Sequence, residues 1–211
     1  MNYPNGKKFY QSEINKITET TYANRGMNLE KELNETNSYY RDIEKAYIYK
    51  KPTPIKITKV DFKNSNKIIK EAFFETPSTT DYNGIYKGYY IDFEAKETKS
   101  NTSFPLSNIH PHQIKHLNNI SKQKGIAFLI VRFTNLNLTF LLLEKDFTEY
   151  INNNNRKSIP LDFFKQKAHL IKDKFNPRID YLEILDKLEV TKWKNKQIRQ
   201  MIKLKNYKLK I

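Results

Sequence analysis

The spacing of apolar positions changes several times along the chain, and each change marks an element. Leu29, Leu33, Tyr40 and Ile43 recur at helical spacing with Asn and Glu opposite, which predicts a helix over about 26–44. A strand is expected near 46–50. Lys51-Pro52-Thr53-Pro54 ends it, because proline removes a ladder donor and restricts the residue before it. Residues 55–62 alternate apolar and polar, the period of a half-exposed strand. After a polar turn at 63–66, residues 67–74 resume as an extended or short helical segment. A β-hairpin comes next, with turn chemistry supplied by Tyr82-Asn83-Gly84 and Lys87-Gly88. Pro111 sits in the first turn of a helix of about 111–123 that stops at Gly125. Residues 126–133 are continuously apolar, as in a buried central strand, and Asn135-Leu136-Asn137 turns the chain into a second apolar strand over 138–143. Helices over about 144–151 and 160–173 complete the core. This order predicts an α/β fold, a mixed sheet flanked by helices in one domain over 23–180. A flexible arm is expected over 1–22 and a basic extension over 181–211.

Composition narrows the chemistry. The 211 residues suffice for one well-buried core, and 13% aromatics argue against wholesale disorder. Cysteine is absent, which excludes disulfide scaffolds, thiolate zinc sites and cysteine nucleophiles. No apolar run approaches the roughly 20 residues of a membrane span, and the first residues hold no signal-peptide core. A cytoplasmic, nucleoid-associated protein is expected. The formal charge of +15 makes nucleic acid the expected partner, although an AT-rich genome also inflates lysine. Eight Lys or Arg and no acid occupy 191–211, which fits a free basic arm or an accessory helix around Trp193.

The richest stretch is Pro77–Lys99. Alternation along its returning strand puts Tyr90, Asp92, Glu94 and Lys96 on one face and apolar Ile91, Phe93 and Ala95 on the other. Asp81, at the start of the paired strand, reaches Glu94 if the hairpin closes as read. Two carboxylates make a hard oxygen site suited to Mg²⁺, with Mn²⁺ as a substitute. Such a cation activates water and neutralises phosphate charge, and Lys96 beside it would orient the water or stabilise the pentavalent phosphorus. The alternative is a solvated hairpin face with an incidental Glu–Lys pair.

Seven segments together decide between these. They are 24–30 (NRGMNLE), 35–37 (ETN), 50–54 (KKPTP), 78–84 (STTDYNG), 90–99 (YIDFEAKETK), 102–106 (TSFPL) and His112-Gln113. In order and spacing they closely resemble the RecU family of Holliday-junction resolvases, over roughly 23–175. The resemblance implies a restriction-endonuclease-like nuclease fold. It also implies metal held around Thr79, Asp81, Glu94 and Gln113, with Lys96 stabilising the transition state. Gln113, in the first turn of its helix, has a competing reading as a residue that satisfies its own backbone. Glu30 is an auxiliary acid carried on a helix or an ordinary surface glutamate, and Arg25 beside it is a phosphate clamp.

The family is further characterised by a homodimer with a protruding stalk that enters the junction. Here that would be the basic excursion of about 58–74 and its approach, with Lys56, Lys59, Lys63, Lys67 and Lys70. Asn64 stands where relatives can carry arginine, which removes any role needing a guanidinium fork. Phe73 and Phe74 are expected either to stack on exposed bases or to pack in the core. His110, His112 and His116 lack an evident acid partner and read as phosphate contacts or surface. The expected activity is Mg²⁺-dependent symmetric nicking of four-way junctions in recombination and repair. A strand-exchange recombinase and a branch-migration helicase are the implied protein partners. The rival readings are a duplex-cutting nuclease and a junction-binding protein without cleavage.

Overall fold

A computed structural model describes residues 29–63, 66–75 and 79–188. The arm over 1–22, Arg25 and the tail beyond 188 lie outside the described residues. Six strands form the central sheet: β1 (Tyr47–Lys50), β4 (Tyr82–Tyr86), β5 (Tyr89–Thr98), β7 (Ile126–Phe133), β8 (Leu138–Leu143) and β10 (His169–Ile171). Their spatial order is β1-β4-β5-β7-β8-β10. Only β5 and β7 run parallel, and the connection between them carries helix α2 (Pro111–Lys122), as a parallel crossover requires. The mixed sheet between helices is the expected α/β architecture.

Each face of the sheet carries its own core. Ile126, Phe128 and Ile130 of β7 join Ile91 and Phe93 of β5 against helix α1 (Leu29–Asp42) and helix α5 (Tyr181–Lys187). Ala127, Leu129, Val131 and Phe133 face the other way, against α2, helix α3 (Glu144–Asn153) and helix α4 (Leu161–Lys167). This two-sided burial explains why β7 reads as an uninterrupted apolar run. A short pair of strands, β6 (Ser103–Pro105) and β9 (Ser158–Pro160), lies outside the main sheet.

Three rings cross the first core in register. Tyr82 pairs with Phe93 across β4 and β5, and Phe93 pairs with Phe128 across β5 and β7. Both ring pairs stack with centroids 4.8 Å apart. Such cross-strand pairs fix register, because a one-residue slip would turn every side chain to the opposite face. A buried ion cluster fastens α1 to the sheet. Glu32, 2% exposed, meets Arg132 of β7, and Arg178 Nε lies 3.1 Å from its other oxygen.

Several expectations shift. The turn of the β4–β5 hairpin is Lys87-Gly88, both at positive φ, as a two-residue connection demands. Tyr82-Asn83-Gly84 lies within β4 instead. A Cβ at Gly84 would stand 2.1 Å from the Tyr47 carbonyl, so its glycine serves the close approach of β1. The helix expected over 160–173 ends at Lys167, and His169–Ile171 pairs with β8 as β10. The folded unit also runs past residue 180: Tyr181, Leu182 and Leu185 of α5 are buried in the first core.

The basic excursion is a separate antiparallel hairpin of β2 (Ile55–Lys63) and β3 (Asn66–Phe74), not hydrogen-bonded to the main sheet. Lys56, Lys59, Lys67 and Lys70 are exposed on it, and Lys63 pairs with Asn66 near its turn. Core packing of the Phe pair is overturned, since Phe73 is 58% and Phe74 82% exposed. A lone two-stranded ribbon has no second layer to cover them.

Candidate active site

The site forms where the segment entering β4 meets the middle of β5. Because Tyr82 pairs with Phe93, Asp81 falls opposite Glu94. The Asp81 N–H donates to Glu94 Oε2 at 3.1 Å. Alternation holds along β5: Asp92 and Glu94 point away from the aromatic stack, and both are fully buried. Lys96, two residues on, brings its ammonium 2.5 Å from Glu94 Oε1. The approach is not aligned as a hydrogen bond, which leaves that buried oxygen without a hydrogen-bond partner.

Electrostatics follow from this crowding. Burial pushes the Glu94 carboxyl up to about 8, the Asp81 carboxylate beside it adds to the rise, and Lys96 opposes it. Burial and the neighbouring carboxylates Glu30, Asp81 and Glu94 likewise raise the Tyr82 phenol, keeping it a neutral donor. A carboxylate buried against a second one and short of a donor calls for a cation in place of its proton. The donor set fits a hard divalent ion held by Asp81 and Glu94, with water and neutral oxygens completing it. Among the described residues no group of three or more His, Asp or Glu side chains converges on a metal position.

An open cleft at this end of the sheet is lined by Leu29, Glu30, Asp81, Tyr82, Ala95, Lys96 and Glu97. Glu30 stands on its rim, half exposed and ion-paired with Lys50. Glu97, which the sequence reading passed over, accepts a hydrogen bond from the Leu29 N–H at 3.0 Å and so holds the start of α1 at the cleft. Thr79 lies two residues before Asp81 and is partly exposed, whereas Thr80 is the buried member of the pair. Gln113 is buried in α2, and its side-chain carbonyl accepts from the His110 N–H at 2.9 Å. The reading of Gln113 as a satisfier of its own helix start therefore describes its oxygen. Gln113 is not among the residues that line the cleft.

The histidines need one correction. His116 does have an acid partner: its Nε2 lies 3.1 Å from Asp92 Oδ2. Asp92 is the residue that reasoning from the motif undervalued. It shares the Glu94 face of the strand, and that alternation was the available signal. His110 and His112 stack ring on ring, with centroids 5.4 Å apart.

Comparison with known proteins now adds to this geometry. Residues 24–187 match the RecU family, described as Recombination protein U. The Holliday junction resolvase RecU of Staphylococcus carnosus (strain TM300) is 48% identical over 200 residues, which covers 89% of this chain and 96% of that protein. The protein of the same name from Bacillus cereus (strain B4264) is 49% identical over 191 residues, 87% of this chain and 96% of the relative. That of Bacillus thuringiensis (strain Al Hakam) is 50% identical over the same length and shares. The match takes in the hairpin, the acid pair and nearly every described element, and the chain belongs to the RecU family.

Proposed function

We propose that this chain is a structure-specific endonuclease that resolves Holliday junctions in recombination and repair. The observation that carries the reading is the buried Glu94 carboxylate held by the Asp81 N–H and approached by Lys96, with Asp81 and Lys96 lining a cleft, in a strongly basic chain. Sequence relatives named as resolvases across nearly their whole length support the junction as substrate. The ion proposed is Mg²⁺, with Mn²⁺ as substitute, held by Asp81 and Glu94 with Thr79 near. When bound, it supplies a Lewis acid that strengthens water as a nucleophile and offsets phosphate charge.

The chain's own groups do the rest. Asp81 and Glu94 orient water in line with the scissile phosphorus. Lys96 places its ammonium where negative charge grows on the phosphate oxygens, and hydrolysis leaves 5′-phosphate and 3′-hydroxyl ends. Glu30 and Gln113 hold the surrounding water. The exposed lysines of the β2–β3 hairpin contact phosphates, and Phe73 and Phe74 stack on bases opened at the crossover. Arg25 is assigned to phosphate on the family resemblance alone.

Two such sites in a homodimer would match the two-fold symmetry of the junction and nick opposing strands. No helix among the described residues is long and apolar enough to cross a membrane, and a cytoplasmic, nucleoid-associated enzyme is part of the proposal. So are a strand-exchange recombinase and a branch-migration helicase as partners. The test incubates a mobile four-way junction and a matched linear duplex with wild type and Asp81→Ala in Mg²⁺. Paired nicks in the junction alone, lost in the variant, are expected. Equal cutting of the duplex, or tight junction binding with no cleavage by wild type, would refute the proposal.

A further inference from the structure

Beside the acid pair lies a second polar cluster, centred on buried Asp92 and Thr80, to which the proposed chemistry assigns no part. Asp92, fully buried, accepts from Lys51 Nζ at 2.9 Å and from the Tyr90 hydroxyl at 3.0 Å through Oδ2, the oxygen that also faces His116. Its other oxygen accepts from the hydroxyl of Thr80, itself 2% exposed. Lys51 Nζ also donates to Thr80 Oγ1 at 2.9 Å. The same lysine's backbone N–H donates to the Asp81 carbonyl at 2.7 Å.

The connectivity has a direction. Asp81 lies in the segment just before β4, one residue outside the assigned strand. It is held through its carbonyl by the Lys51 backbone, and through its neighbour Thr80 by the Lys51 ammonium and the Asp92 carboxylate. Asp92 in turn belongs to β5, two residues from Glu94. A buried carboxylate is tolerated only with its charge and lone pairs satisfied, so Lys51, Thr80, Tyr90 and Asp92 stand or fall together. Charge-assisted hydrogen bonds of this kind are short and directional, and groups behind a ligand orient it.

We propose that Lys51, Thr80 and Asp92 form a brace that sets the position of Asp81 against Glu94, with Lys51 and Thr80 as positioning residues for the metal site. The inference rests on the reading of Asp81 and Glu94 as cation ligands. It goes beyond that reading by assigning the precision of the pair to residues outside the proposed ligand set. The brace ties three segments, the exit of β1, the entry of β4 and the middle of β5, into one unit.

The test compares full-length wild type with Thr80→Val, which keeps the shape and removes the hydroxyl, and Thr80→Ser, which restores it. In metal-free protein, exchange of the Lys51 and Asp81 amide protons is followed beside that of Leu129 in the centre of β7. Mn²⁺ binding is measured by electron paramagnetic resonance, and junction binding in chelator. Thr80→Val is expected to speed exchange at Lys51 and Asp81 but not at Leu129. It is also expected to weaken Mn²⁺ binding about tenfold or more, with junction affinity unchanged and Thr80→Ser close to wild type. Unchanged exchange and Mn²⁺ affinity in Thr80→Val, or acceleration spread equally to Leu129, would overturn the brace. If Thr80→Val does not fold, Lys51→Gln keeps the Thr80–Asp92 bond and carries the same expectation. A wild type that binds no Mn²⁺ would sink the metal-site reading, whereas loosened amides with unaltered Mn²⁺ binding would sink only the brace.

Discussion

Replacing Glu94 by glutamine tests the electrostatics of the site without any substrate. In the folded chain the carboxyl is pushed up to about 8 from an ordinary 4.5, so between these values the folded state holds a proton that the unfolded chain has released. The sign follows. The contribution of Glu94 to folding stability is complete below about pH 4.5 and is lost as pH rises through about 8. At about 1.4 kcal/mol per pH unit, the whole span is worth on the order of 5 kcal/mol in metal-free protein. Glutamine stays neutral throughout and removes the dependence. Urea unfolding in chelator, from about pH 5 to about pH 9, should show wild type losing stability relative to Glu94→Gln across the window. Mg²⁺ added near the alkaline end should restore wild type and leave the variant unmoved. A difference between the two proteins that stays constant with pH would refute the reasoning, because it would mean that neither burial nor Asp81 disfavours the charged carboxylate.

Three more outcomes follow from other parts of the structure. Lys96→Ala should lower the cleavage rate about a hundredfold or more with little change in junction affinity, measured by single-turnover cleavage, since in the proposed mechanism the ammonium acts on charge that develops during reaction. Lys56→Gln with Lys59→Gln should flatten the salt dependence of junction binding, each lost phosphate contact removing about 0.9 from the slope of log K against log salt, read by titration at several salt concentrations. Glu32→Ala should cost about 3 kcal/mol or more in urea unfolding, because it leaves Arg132, largely buried, without its carboxylate.

Legibility in the sequence tracked how local the signal was. Strands β7 and β8 could be placed residue for residue, because continuous apolar runs with turn residues between them admit few other readings. The face shared by Asp92, Glu94 and Lys96 was legible for the same reason, alternation along β5, whereas placing Asp81 opposite Glu94 also required the hairpin to close at Lys87-Gly88. β10 escaped because three residues carry no periodicity of their own and become a strand only by pairing with β8. Helix α5 escaped likewise. It spans seven residues, and the Asp180 side chain caps it by accepting from the Glu183 N–H. Apart from Tyr90, two residues away on the same face, the partners of Asp92 come from the β1 exit, the β4 entry and helix α2, and nothing in their spacing along the chain announces the meeting.

The stacked rings of Tyr82, Phe93 and Phe128 give the enzyme a particular way of failing. They act as a ruler laid across three strands, and its Tyr82–Phe93 mark sets Asp81 opposite Glu94. A warmed molecule that kept its sheet and its positive surface but let these rings slide would still grip DNA and would cut nothing. Heat should therefore silence catalysis before it loosens binding, and both before it melts the helices. In this chain part of the calibration of the proposed site is stored in the hydrocarbon behind it, beside the polar brace.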